Sequence, residues 1–347
     1  MTKSSGLYNF QSVQVEPLIR DAFEHVGVLP EFITPQKLDS ARRSINLLLL
    51  EWMNKTTNLW TLKNDFLSLN EFQIKYFLEK YVLDITELNL RTSTRQLDGT
   101  AASSSGGDPN NAFDDNAATS CVQEASDGNI SYDYGAGAEQ NITFVGVSSD
   151  VDREYSLTIE YSLDNAEWKI LHVVSKQNYI KGNLVWIDIT APVLAQAYRI
   201  KEMGGAILNI QEIYFNNNVL DTTISGVSRD EYLQFPQKNI TGRPSVFYFD
   251  RSINPSLSIW PAPTKMYNAI KYSYKKAMQD VGLYTNSLEI PARFYPALVA
   301  GLSFKLALKF NNQIAEMLNQ EYQNTFNLAT IADSENTVIS INTGWSS

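Results

Sequence analysis

Two histidines, His25 and His172, and one cysteine, Cys121, are the only imidazole and thiol groups in 347 residues. Zinc sites are built mostly from cysteine and histidine, so most zinc chemistry is excluded. The three residues fall in different stretches of sequence and make no Cys–His or Ser–His–Asp arrangement. His25 reads as a helix-surface residue before Gly27, and Cys121 as a small buried one. A lone cysteine excludes a disulfide framework within the chain. Asp114-Asp115 and the group Asp150, Asp152 and Glu154 are neighbours in loop-like sequence, where carboxylates are solvated. Glycoside hydrolysis needs two carboxyl groups facing each other across a cleft. Gly204-Gly205 reads as a turn and not as a phosphate-cradling loop. The expectation is that the chain is not an enzyme and requires no cofactor. Tyr132, Tyr134, Trp168 and Trp186 could stack against a sugar ring or a partner, although their strand spacing equally suits a core.

Charge narrows the partners. The net charge is −10, and residues 92–218 hold 7 basic and 17 acidic residues, which is all of it. The remainder is neutral, with 21 residues of each sign. Arg42-Arg43, Lys275-Lys276 and Arg243 with Arg251 are small clusters that suit a solvated face or a subunit contact. Tight sequence-independent binding to DNA phosphates is not expected from such a balance. The first 14 residues lack the apolar stretch of a leader, and no apolar run approaches the roughly 18 residues of a membrane span. A protein without leader or membrane segment, kept in a reducing setting, is the expectation.

The elements that would position these residues fall into two kinds. Val15, Leu18, Ile19, Ala22, Phe23 and Val26 recur at helical spacing within 13–29, before Gly27 and Pro30. Thr34-Pro35 opens a second helix over 35–55, with Leu38, Ala41, Ile45, Leu48, Leu49 and Trp52 as its apolar stripe. Residues 292–332 form the strongest helical stretch, with Asn311-Asn312 as the place where it would break. A small β-element is read in 62–91, and Gly99–Pro109 is a loop by composition. Seven short strands follow, at 129–134, 141–148, 156–162, 168–174, 185–189, 197–201 and 207–215, the pattern of a β-sandwich. Strands at 246–250, 257–260 and 269–274 read as an antiparallel set. The fold class is therefore α+β. A discontinuous helical-bundle core with a small antiparallel β-element (1–91 and 219–332) is interrupted by an inserted jelly-roll β-sandwich (92–218). An extended tail (333–347) ends the chain.

Several stretches of the core, in order, resemble a known family. They are Pro17–Val28 running into Gly27-Val28-Leu29-Pro30, Leu47–Trp52 with Asn58-Leu59-Trp60, and Gly242-Arg243-Pro244 with Phe247–Arg251. Pro255–Pro263 and Ile290–Leu302 complete the set. Together they are similar to the head-to-tail adaptor proteins of short-tailed bacteriophages, also called tail accessory or head completion factors. That resemblance implies a structural virion protein at the head–tail junction, made in the host cytoplasm. Its copies would form a ring, commonly twelve-fold, that joins the portal protein to the tail nozzle or tail-tube protein. Genomic DNA would pass through without sequence-specific binding. The tail, with Val338, Ile339, Ile341 and Trp345 as spaced apolar anchors, would dock on the portal; the plain alternative is a frayed end.

The insert resembles a second family, the discoidin or coagulation-factor type C domains, which are galactose-binding-like jelly rolls. The residues that carry this are Asn111–Ser120, Ile130–Gly135, Tyr161–Trp168 and Leu208–Phe215. Asp115 stands where glycine is usual, and Ser120-Cys121 where an aromatic is common. The resemblance implies a structural calcium ion held by Asp114, Asn116, Thr119 and Glu212; the alternative is a loop closed by Asx turns beside a surface glutamate. The insert would project outward and contact tail fibres or glycans. The runner-up function is a glycan-binding host-recognition module on a helical scaffold.

Overall fold

The computed structural model describes residues 14–55, 59–264, 269–283 and 285–334. The tail anchors Val338, Ile339, Ile341 and Trp345 lie outside the described residues. The helices are α1 (Val15–His25), α2 (Pro35–Lys55), α3 (Arg229–Gln234), α4 (Tyr295–Phe310) and α5 (Ala315–Ala332). The strands begin with β1 (Leu62–Ser68), β2 (Lys75–Phe77), β3 (Val82–Arg95), β4 (Thr100–Ser103), β5 (Cys121–Val122) and β6 (Asn129–Asp133). They continue with β7 (Gln140–Asn141), β8 (Phe144–Ser149), β9 (Arg153–Ser162), β10 (Lys169–Tyr179), β11 (Leu184–Asp188) and β12 (Leu194–Ala195). The last six are β13 (Ala197–Glu202), β14 (Asn209–Thr223), β15 (Ser225–Gly226), β16 (Val246–Asp250), β17 (Ser256–Trp260) and β18 (Ala269–Lys276). Packing divides the chain into two units, one of residues 1–63, 80–84 and 274–347, the other of 64–79 and 85–273.

The first unit is built on the helices α1, α2, α4 and α5. Their buried faces are the apolar stripes of the sequence, including Val15, Ile19, Phe23, Ile45, Leu48, Trp52, Leu298, Leu302 and Phe326. Trp52 is central: its ring meets Phe294 at 5.7 Å and Phe326 at 5.3 Å, and its indole N–H donates to Tyr322 Oη at 2.9 Å. The stretch 292–332 is not one helix. Asn311 leaves the helical conformation at φ −155° and ψ 75°, and its side-chain amide donates to the Val26 carbonyl at 3.2 Å. α5 then packs back against α4. Gly301 permits this, because a Cβ there would stand 2.9 Å from both Leu48 and Tyr322.

The second unit is a β-sandwich with an additional small sheet. One layer is a seven-stranded sheet in the order β1-β18-β3-β14-β8-β11, with β5 also on β14; the other is β10-β9-β13-β6-β4. Their inner faces meet through Val145, Val147, Ile213 and Phe215 from the first layer and Ile130, Leu157, Ile159, Tyr198 and Ile200 from the second. Alternate residues of each strand therefore face the core, as the period of two requires. The smaller sheet runs β15-β16-β17-β2.

Two readings of the sequence are corrected. The Gly99–Pro109 loop contains β4, a short edge strand pairing Ala101 with Tyr132; its small residues carry little strand signal. Residues 269–274 do not join 246–250 and 257–260. They belong to β18, which lies inside the large sheet between β1 and β3, and Ala269, Ile270, Tyr272 and Tyr274 are all buried there. Ile270, Tyr272 and Tyr274 share one face of the strand, as the period of two requires.

Candidate functional site

Four aromatic residues are candidates for a stacking surface, and the second unit separates them. Tyr132, Tyr134 and Trp186 are only 4%, 7% and 7% exposed. Tyr132 packs on Phe113 at 4.7 Å and meets Tyr134 edge-on at 5.1 Å. Trp186 stacks on Phe144 at 4.4 Å and lies over Gly146, its register partner, where a Cβ would come within 2.6 Å of the indole. These three are core residues and form no exposed platform, which corrects that expectation. Trp168 alone is half-buried at the surface.

The turn between β9 and β10 delivers Trp168. Ser162 Oγ donates to Asp164, whose carboxylate accepts the N–H groups of Ala166 and Glu167, each at 3.0 Å. Those amide donors hold the Asp164 carboxyl below its ordinary range. Asn165 takes the left-handed conformation at φ 54° and donates its side-chain amide to Asp133 at 2.7 Å. Asp133 also accepts from Gln196 and from the Gly135 amide, so the turn is tied to its neighbours.

Beneath Trp168 lies Arg199, with the guanidinium carbon 4.3 Å from the ring centroid. Arg199 alternates with the core residues Tyr198 and Ile200 on β13, so its side chain leaves the sandwich on the outer face. Its register partner on β9 is Glu160, and Arg199 Nε donates to Glu160 Oε2 at 2.6 Å. Glu160 is buried and takes a further hydrogen bond from Thr158 Oγ1 at 3.1 Å. A carboxylate thus fixes a guanidinium, which fixes an indole. The spacing of aromatics does not disclose Arg199 and Glu160. Their signal is the charged residue alternating with buried ones, and it becomes specific only when the register sets them side by side.

The loop 114–119 gathers the residues expected for calcium. Thr119 Oγ1 donates to Asp114 at 2.9 Å, and the Asn116 amide N donates to both Asp114 and Glu212 at 3.0 Å. Asn116 Oδ1 accepts from the Ala118 amide. Arg95, which does not stand out in the sequence, enters with Nη2 3.2 Å from Glu212 and Nη1 2.8 Å from Asp115. Burial pushes the Glu212 carboxyl up to about 7; Arg95 opposes this, while Asp114 and Asp115 add to it. The expected ligands carry oxygen, the hard chemistry that suits calcium, but the Arg95 guanidinium already sets a positive charge against Glu212 and Asp115. Among the described residues, no group of three Cys, His, Asp or Glu side chains is placed to hold a metal ion. Also among the described residues, no helix is long and apolar enough to cross a membrane.

Comparison with known proteins gives a limited likeness. No family model matches the chain, and no curated protein matches it. Among solved structures, chitosan-binding module 1 of a chitosanase/glucanase from Paenibacillus sp. IK-5 is similar to 36% of this chain. The match is 19% identical, covers 96% of the module and has a TM-score of 0.29. The family 32 carbohydrate-binding module of NanJ from C. perfringens, in complex with galactose, is similar to 37% of this chain. It is 16% identical, covers 100% of that module and has a TM-score of 0.30.

Proposed function

We propose that the second unit is a carbohydrate-recognition module, with Trp168 as its stacking surface. The observation that carries this reading is the fixed chain Glu160–Arg199–Trp168 on the outer face of the sandwich. An aromatic ring presented on a rigid support loses little freedom when a sugar packs on it, so more of the contact energy appears as affinity. Polar side chains stand nearby on the same turn and its neighbours, in Asp133, Asn165 and Gln196. The reading assigns no reaction to the chain. A calcium ion at Asp114, Asn116, Thr119 and Glu212 belongs to the same proposal, as support for the loop that packs beside β14.

The test is a glycan array followed by titration of the best ligand, with and without calcium, against the wild type and Trp168→Ala. Loss of binding by tenfold or more, with melting temperature nearly unchanged, supports the reading. Equal binding by the variant contradicts it. Calcium is expected to raise the melting temperature of the wild type.

A second reading concerns the first unit, as an assembly subunit of a phage head–tail junction. It is favoured by large apolar side chains exposed on three helices: Leu47 and Leu50 on α2, Leu308 and Phe310 on α4, and Leu328 and Ile331 on α5. In this reading a neighbouring copy or the portal would cover these side chains.

A further inference from the structure

A groove of about 580 Å³ lies within the second unit, walled by β1, β2, the loop between them and the turn before β11. Its size is that of a ligand site. Its lining is chemically consistent. Glu79 is the one charged residue among those that line it, and the rest of the polar surface comes from amides and hydroxyls such as Asn70, Gln73 and Asn183.

The loop at its edge is held in place. Tyr76 is buried at its base, and its phenol oxygen accepts the Asn70 N–H at 3.2 Å and donates to the Gln73 carbonyl at 3.1 Å. Asn70 Nδ2 donates to Gln73 Oε1 at 2.7 Å, and Gln73 Nε2 donates to the Lys75 carbonyl at 2.8 Å. Between them, Phe72 takes the left-handed conformation at φ 63°, with its N–H on the Pro263 carbonyl at 3.0 Å. Glycine or asparagine adopts that conformation with little strain, whereas a bulky aromatic is disfavoured there. Core packing does not explain the choice, because Phe72 is 63% exposed and Phe77, on the adjoining strand, is 72% exposed. The strain is held at the edge of the amide-lined groove, on the loop that carries Asn70 and Gln73.

We infer that this groove is a second saccharide site, separate from Trp168, that takes a neutral oligosaccharide. Asn70 and Gln73 would exchange hydrogen bonds with its hydroxyls, and Phe77 would pack on a ring face. Uncharged amides match hydroxyls as both donors and acceptors, and the two charges at hand, Glu79 in the lining and the Lys75 ammonium 5.3 Å from the Phe77 ring centroid, are of opposite sign. The inference uses none of the residues of the Trp168 turn.

The test is calorimetric titration of the full chain with cellohexaose, maltohexaose and N-acetylchitohexaose. The variants are Phe77→Ala, Gln73→Ala, Phe72→Gly and Trp168→Ala. At least one hexaose is expected to bind, tenfold or more weakly to Phe77→Ala and Gln73→Ala, and undiminished at this site in Trp168→Ala. Phe72→Gly, which relieves the left-handed conformation, is expected to raise the melting temperature. Binding by none of the three hexaoses overturns the inference, as does equal binding by Phe77→Ala and Gln73→Ala. Binding of extended peptides in place of the sugars also overturns it. Loss through Trp168→Ala alone leaves the earlier reading standing and removes this one.

Discussion

Arg91 shows how single residues of the second unit are held. It is almost fully buried and sits over the rings of Phe66 and Phe144, at 5.0 and 4.8 Å. Its Nε and Nη2 donate to the two oxygens of Asp221, both at 2.6 Å, and Nη1 donates to Asp188. The hydrogen bonds from Arg91 hold the Asp221 carboxyl below the usual carboxylate range. A depressed carboxyl stabilises the fold above its unfolded value and loses that contribution as pH falls through its folded value. Stability from this pair is therefore present at neutral pH and declines below about pH 4. Asp221→Asn is expected to cost about 2 kcal/mol at pH 7 and to flatten the acid limb of a denaturation series. An unchanged acid limb would show that the pair does not contribute in this way. None of this was legible in the sequence, where Arg91, Asp188 and Asp221 stand far apart. Trp168 was legible as an aromatic next to a turn, but three equivalent aromatics were not distinguishable from it. Burial separates them: Tyr132 and Tyr134 lie between the two sheets, whereas Trp186, on the opposite face of the large sheet, is covered by Phe144 and Tyr214.

At the scale of elements, helical periodicity located α1 and α2, and α2 spans Pro35–Lys55, as Pro35 at its first position indicates. Most strands of the sandwich also stand where alternation and turn residues placed them, but 141–148 is divided between β7 and β8 in different sheets, and the last strand continues to Thr223. What periodicity could not supply was the partner of each strand. β18 has a strand-like sequence, but its place in the large sheet depends on pairing across long sequence separation. The division of 292–332 into α4 and α5 depends on packing at one position. Gly301→Ala would ordinarily strengthen a helix, by about 1 kcal/mol. Here the added Cβ would meet Leu48 and Tyr322 at 2.9 Å, so the expected net effect is destabilisation of about 1–2 kcal/mol. Chemical denaturation measures it, and a stabilised variant would mean that α2, α4 and α5 are not in close contact there.

At the scale of the whole molecule, both units expose large apolar side chains, and the second also presents a fixed aromatic and an amide-lined groove. Assembly by the first unit, the second reading proposed above, is tested by mass photometry of the protein alone and with portal rings of a short-tailed bacteriophage. Addition of a closed set of copies to the ring is expected, weakened by deletion of 335–347, which leaves Asp333 and its contact with Arg293 in place. A protein that ignores the portal excludes that role. The central claim, carbohydrate recognition by the second unit, is tested most directly by titrating the best glycan of an array into wild type and Trp168→Ala, with the melting temperature of each recorded. A tenfold or greater loss of affinity in a variant that melts like the wild type is the predicted result. Equal affinity in the two proteins would contradict it.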